Sequence, residues 1–199
     1  MAEIDNKIDS IEDSQIHRMV INELVDHAEN NPLKAQNAVF IQFLQRYFSN
    51  APVEDLTSRS IVDLYGCALS HWRLVQQHHK GECQINVFNP NHKDDGWESS
   101  HTIVQVVMDD MPFLVDSMQM LLSRMGFTTH LMIHSGGMNI FRDKSGQLSD
   151  VLTITDSNDI KDGHVIAPIY MEIDKQTSNE TLEDIDSELR RVLSDVEFA

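Results

Sequence analysis

The chain is poor in the residues that build covalent or metal-stapled scaffolds. It has two cysteines, Cys67 and Cys83, in 199 residues. They lack the C-x-x-C spacing of a metal or redox motif. Two isolated thiols fit a reducing cytoplasm, where cysteine packs as a small hydrophobe. Basic residues are scarce too: 15 Lys and Arg against 32 Asp and Glu give a formal net charge of -17. Such a surface repels phosphate backbones and anionic lipid, which argues against nucleic-acid and membrane partners. No apolar run approaches the roughly 20 residues that span a bilayer. The opening segment MAEIDNKIDSIEDSQ is acidic, so it is neither a secretory signal nor a basic transit peptide. A cytoplasmic location is expected. With only eight glycines, there is no G-x-G-x-x-G, no G-x-x-x-x-G-K-[ST], no G-x-S-x-G elbow and no H-E-x-x-H. On this reading no catalytic, cofactor-binding or metal residue is assigned. Apolar residues make up 41% and recur along the chain, so the acidity is a solvated surface rather than disorder.

Apolar periodicity divides the chain near residue 80. Residues 1–80 read as a small helical bundle, and 81–199 as an α/β unit with a mainly antiparallel sheet. Ile16, Met19, Val20 and Leu24 mark one face of a first helix, after Ile4, Ile8 and Ile11. Asn30-Asn31-Pro32 punctuates it. Val39, Phe40, Phe43, Leu44, Tyr47 and Phe48 mark a second helix, closed by Asn50-Ala51-Pro52. A third spans Ser60 to Gln77, with Ser60 and Asp63 as a weak capping box. Alternation then predicts strands at Cys83 to Phe88 and His101 to Met108, separated by a polar loop holding Trp97. Pro112 to Met125 reads as a helix with Pro112 in its first turn, Asp109 or Asp110 as its cap and Gly126 as its stop.

Phe127 to His134 is the next expected strand, with Ser135-Gly136-Gly137 as a hairpin turn and Met138 to Arg142 as the return. A turn at Asp143 to Gln147 leads to an apolar run at Val151 to Ile154. The polar stretch 156–163 precedes a strand at His164 to Ile173. Pro168 places that strand at an edge or a bulge. Thr177 to Val196 is a final amphipathic helix capped by Ser178. The core order, β-α-β-β-α, is most of a ferredoxin-like unit. Its fourth strand either lies beyond Ala199 or is replaced by the early strand at Cys83 to Phe88.

Ten histidines raise a metal hypothesis. His130 and His134 share one face of a strand, and His101 and His164 head neighbouring strands. Two such histidines with an acidic residue suit a divalent ion; the plainer alternative is a polar sheet surface. Asp109, Asp110 and Asp116 cluster at a helix start, as a general-base or magnesium site or simply as caps. Met118, Met120, Met125 and Met132 read as core filler. Trp97, in a polar loop, is a candidate interface residue or packs back on its own domain.

The segment Asp109 through Ser117, DDMPFLVDS, resembles the N-terminal region of the large bacterial NAD-specific glutamate dehydrogenases. The resemblance extends to Tyr65, Trp72-Arg73, Val87-Phe88-Asn89-Pro90, Asp95-Gly96-Trp97 and His101-Thr102. It continues in Gly126, His130-Leu131, His134, Arg142 to Gly146 and Met171 to Asp174. It implies an ACT-like domain, a ferredoxin-like unit that senses amino acids or pairs with copies of itself. It also implies NAD as the parent enzyme's cofactor, none in this segment, and a catalytic domain further along.

ACT domains that bind amino acids carry a D-x-P-G-L-like turn, whose glycine lets the ligand reach free amides at a helix N-terminus. Here Asp110-Met111-Pro112-Phe113-Leu114 puts a phenyl ring at the glycine position. The candidate ligand or interface turn is therefore Asp109, Asp110, Pro112 and Phe113, and the candidate interface residues are Trp97, His130 and His134.

Three readings follow. The first is a non-catalytic regulatory or assembly module whose partners are later domains and other subunits of a homo-oligomer. The second is an amino-acid sensor. The third is a free-standing metal-dependent enzyme using His130, His134 and the Asp109/Asp110 turn.

Overall fold

The computed structural model describes residues 2–30, 38–153 and 163–197, with side chains over 12–30, 38–152 and 163–197. The expected runs 31–32 and 154–162 lie outside the described residues. Four helices come first: α1 (Ala2–Glu29), α2 (Ala38–Tyr47), α3 (Val53–Thr57) and α4 (Ile61–Gln77). Then follow β1 (Gln84–Phe88), β2 (Thr102–Asp109), α5 (Leu114–Arg124), β3 (Thr129–Ile133), β4 (Met138–Arg142), β5 (Leu148–Thr153), β6 (His164–Ile173) and α6 (Asn179–Glu197). The short α3, which opens after Pro52, had no periodic signal to reveal it.

Local chemistry sets several of these ends. Ser60 caps α4 by accepting from the Asp63 N–H at 3.1 Å, and its hydroxyl donates to the Asp63 carboxylate at 2.6 Å. At the end of α5, Gly126 has φ 88. The Gly126 N–H donates to Ser123 O and the Phe127 N–H to Leu122 O, both at 3.0 Å. This crossed pair satisfies the last carbonyls and needs a left-handed residue, which glycine supplies without a Cβ penalty.

All strand pairs are antiparallel, in the order β1-β2-β6-β4-β5, with β3 also on β6. The early strand therefore fills the fourth-strand edge: β1 lies beside β2 with Val87 opposite Val104. The expected β3–β4 hairpin does not form. Thr129–Ile133 pairs with Ile173 back to Tyr170, and Met138–Ile140 with Ile166 back to His164. The two strands lie end to end along β6, and Ser135-Gly136-Gly137 bridges the gap.

Pro168 sits opposite that gap, so β6 is central rather than an edge. The Pro168 carbonyl points away from β2 and accepts from His134 Nδ1 at 3.3 Å. A strand residue's N–H lies on the same side as its carbonyl, so the missing proline N–H falls where no ladder partner waits.

Alternation along β2 and β6 builds two cores. Val104, Val106, Ala167, Ile169 and Met171 face α5 and α6, with Leu122, Ile185 and Leu189. Ile103, Val107, Ile166 and Tyr170 face the helices, meeting the ring cluster Phe40, Phe43, Tyr47 and Trp72. Helix α4 lies between sheet and bundle, so it is buried nearly all round. On α1, Leu24 and Ala28 are buried with Val20, Ile21 and Val25 packed beside them, whereas Met19 faces solvent, outside the expected stripe.

Candidate functional site

The turn between β2 and α5 is built differently from the sequence expectation. The helix starts at Leu114 rather than Pro112, and Phe113 is its N-terminal boundary residue, at φ 70, ψ 5, with no side-chain cap. Phe113 is the one described non-glycine residue with positive φ. A left-handed backbone costs an L-residue roughly 1–2 kcal/mol. Phe113 therefore occupies a conformation that glycine adopts freely, at the position where the ligand-binding pattern carries glycine. Its ring is 73% exposed, while Leu114 beside it anchors the turn in the core.

A small cavity of about 130 Å³ opens here, bounded by Asp110, Phe113, Asp116 and His134. Burial raises the Asp110 pKa, and His134 opposes that rise. An amino-acid carboxylate approaching the uncapped amides would meet a phenyl ring and two acidic side chains.

Neither Asp109 nor Asp110 caps α5. The Asp110 N–H donates to Val165 O at 3.1 Å, continuing the β2–β6 ladder. Asp109, at the end of β2, turns to the face of the sheet that carries α4. It accepts from His164 Nε2 at 2.7 Å and from the Gly81 N–H at 3.2 and 3.3 Å. His78, the C-terminal boundary residue of α4, brings its Nε2 to 3.3 Å from the same carboxylate oxygen. The His78 and His164 rings stack with centroids 5.3 Å apart. Burial, aided by neighbouring His164, lowers the His78 pKa.

A third polar centre went unnoticed in the sequence. Glu172 on β6 is buried, yet it receives Arg59 at 2.8 Å, the Tyr170 hydroxyl at 2.8 Å and His101 Nδ1 at 3.1 Å. It sits in a cleft of about 270 Å³ whose floor includes Cys67, Leu131 and Ile133. Deeper in, Tyr47 donates to His71 Nδ1 at 2.8 Å, and His71 Nε2 donates to Val106 O at 3.1 Å. Burial lowers the His71 pKa to about 4 and pushes the Cys67 thiol up to about 12. Cys67 is thus an inert core thiol. Pattern reading missed Glu172 because its cationic partner is remote in sequence: Arg59 lies 113 positions away.

The other expected residues separate. Trp97 is only 3% exposed: its indole lies over Gly66, where a Cβ would collide with it, and meets Phe88 edge-on. It is a packing residue, not a free interface. His130 binds Asp174 at 2.7 Å and lies against the His101 ring, with centroids 4.3 Å apart. A register shift between Thr129 and Leu131 breaks the simple same-face relation of His130 and His134. His134 instead neighbours Asp110, and Asp109 belongs with His78 and His164. The metal grouping expected from His130, His134 and the Asp109/Asp110 turn is therefore split: among the described residues only the His134–Asp110 pair comes together.

No helix among the described residues is long and apolar enough to cross a membrane. The sequence model of the family described as "Glutamate dehydrogenase, ACT1 domain" matches residues 43–189. The NAD-specific glutamate dehydrogenase of Halomonas elongata is 32% identical over 182 residues, which is 90% of this chain and 11% of that protein. The NAD-specific glutamate dehydrogenase of Pseudomonas aeruginosa is 33% identical over 154 residues, 77% of this chain and 9% of that protein. The chain thus spans about a tenth of the length of the curated relatives it matches. With the ferredoxin-like sheet, the α5 turn and these matches together, the chain belongs to the family of glutamate dehydrogenase ACT1 domains.

Proposed function

We propose that this domain is a non-catalytic assembly and regulatory module of an NAD-dependent glutamate dehydrogenase. In that enzyme, glutamate and NAD become 2-oxoglutarate, ammonia and NADH at a separate catalytic domain. Residues 81–199 act as the ACT-like unit, and residues 1–80 cover one face of its sheet.

The observation that carries this reading is Phe113. It holds the left-handed position of the ligand turn with a bulky ring, and Asp110 and Asp116 add charge of the wrong sign for a carboxylate. Sensing at this turn is disfavoured on sterics and electrostatics alike.

Assembly is favoured by the sheet edges. The outer edge of β5 is covered, because α2 packs on it and Gln42 Oε1 accepts the Val151 N–H at 3.1 Å. Among the described residues no strand pairs with the outer edge of β1. A groove there, between Ile85, Asn86 and Val87 and the α6 residues Leu182 and Asp186, runs along the open edge. An open edge adds a strand readily. The proposed occupant is a strand from another subunit of the homo-oligomer, with later domains as the remaining neighbours.

Calorimetric titration of the folded protein with a panel of amino acids separates this reading from sensing. No saturable heat is expected. Saturable binding of one amino acid, abolished when Asp110 is changed to Ala, would replace assembly with sensing.

A further inference from the structure

We propose that His78, Asp109 and His164 form a binding site for one divalent transition-metal ion of the zinc class. Each offers one ligand atom, and these atoms all lie within 4.8 Å of one another. Metal–nitrogen and metal–oxygen bonds of about 2.0–2.1 Å in tetrahedral geometry set neighbouring ligands roughly 3.3 Å apart. The His78 Nε2 to Asp109 Oδ1 distance is already 3.3 Å. The His164–Asp109 contact, at 2.7 Å, needs to open, and the two histidine nitrogens, within 4.8 Å of each other, need to settle at the same spacing. There the ion would displace the proton that His164 Nε2 donates to the carboxylate, and that proton would move to Nδ1, leaving a neutral imidazole bound through Nε2.

His78 supplies the independent reason to expect a ligand. It is fully buried, yet neither ring nitrogen has a hydrogen-bond partner among the described residues. Its Nε2 is close to Asp109 without hydrogen-bond geometry. A buried imidazole without partners forfeits its hydration for nothing in return, and a metal bond at Nε2 would supply the return. His71, fully buried on the same helix, shows the ordinary alternative, with both ring nitrogens bonded.

The backbone fixes all three ligands. Asp109 ends β2 and His164 begins β6, two residues along from Ile166, the register partner of Asp109, and hence on the same sheet face. His78 is locked at the end of α4, where Arg142 donates to the carbonyls of Val75, Gln76 and His78 at 3.1, 3.3 and 2.7 Å. The Gly81 N–H steadies the carboxylate and leaves it free lone pairs. Arg142 does bring a positive charge to this corner, but it is engaged with carbonyls, and Asp109 opposes it. Two nitrogens and one oxygen select a zinc-class ion over magnesium or calcium. Asp109 and His164 are each about a quarter exposed, which leaves the fourth position to solvent. An ion here would tie the bundle, through α4, to two central strands.

The test is calorimetric titration of the EDTA-treated protein with zinc chloride, with magnesium chloride as the contrasting arm. One equivalent of zinc is expected to bind and raise the Tm, and magnesium is not. His164→Gln, at the partly exposed position, should lower zinc affinity at least 100-fold and abolish the Tm rise. His78→Gln should do the same where its circular dichroism shows it folded. His130→Gln, remote from the cluster, should bind as the parent does. Absence of stoichiometric zinc binding, binding unchanged in His164→Gln, or a preference for magnesium would overturn the proposal.

Discussion

Replacing Phe113 by glycine should leave stability nearly unchanged, although it deletes a whole aromatic side chain. At φ 70 the phenylalanine backbone carries a left-handed penalty of roughly 1–2 kcal/mol, which glycine removes. Glycine returns about 0.5–1 kcal/mol of this through unfolded-state entropy. With the ring 73% exposed, its removal forfeits about a quarter of the stabilisation of a fully buried Phe, roughly 0.5 kcal/mol. The sum falls within about 1 kcal/mol of zero. Phe113→Ala keeps the backbone penalty and forfeits the same burial, so it should be the less stable of the two variants by up to about 1.5 kcal/mol. Urea melts followed by circular dichroism measure all three proteins under one protocol. A loss above about 2 kcal/mol in both variants would mean that the ring is a core residue, since core Phe→Ala costs about 3–5 kcal/mol. An alanine variant more stable than the glycine variant would refute the left-handed assignment.

Other consequences follow from the buried centres. His71 has its pKa lowered to about 4 by burial, against 6.5 for a free imidazole. Its neutral form is therefore favoured by folding, and stability is complete above the unfolded value. It is lost as pH falls from about 6.5 to 4, by about 3 kcal/mol for this group. Carbon chemical shifts of the His71 ring should accordingly stay neutral at pH 5.5; a mid-point near 6.5 would contradict the burial. Arg59→Met strands the buried Glu172 carboxylate and should cost about 3 kcal/mol in a urea melt. A change under 0.5 kcal/mol would show that Tyr170 and His101 suffice. Gly66→Ala drives a methyl into the Trp97 indole. It should destabilise by roughly 1–3 kcal/mol and shift the tryptophan emission to the red; unaltered emission would show that the ring is not seated there.

The elements were largely legible because their periods are local. His164–Ile173 read as a strand from its residues alone, and α4 and its Ser60 cap from a few neighbouring positions. What failed was long-range. The β3–β4 break is dictated by Pro168, more than thirty residues downstream of the Gly136-Gly137 link, and the turn residues alone read as a hairpin. Pro112 has the features of a first-turn proline, but the left-handed Phe113 intervenes and delays the helix. Asp109 looked like a cap because Leu114 is near in sequence. It serves His164, which the antiparallel register brings to it, and His78, which the end of α4 brings. Trp97 kept two readings, interface or packing on its own domain, because its sequence neighbours are polar; the contact that decides for packing, Gly66, is on another element. The Phe113 substitution itself was legible, since it departs from a pattern with a known geometric demand.

The central claim, that this domain assembles subunits through the open edge of β1, is tested most directly in the intact enzyme. Gln84→Lys and Asn86→Lys together place charge on that edge, away from any proposed ligand, and light scattering then gives the mass. The expected result is a folded enzyme that falls apart into smaller species. A mass and activity equal to the parent's would contradict assembly through β1.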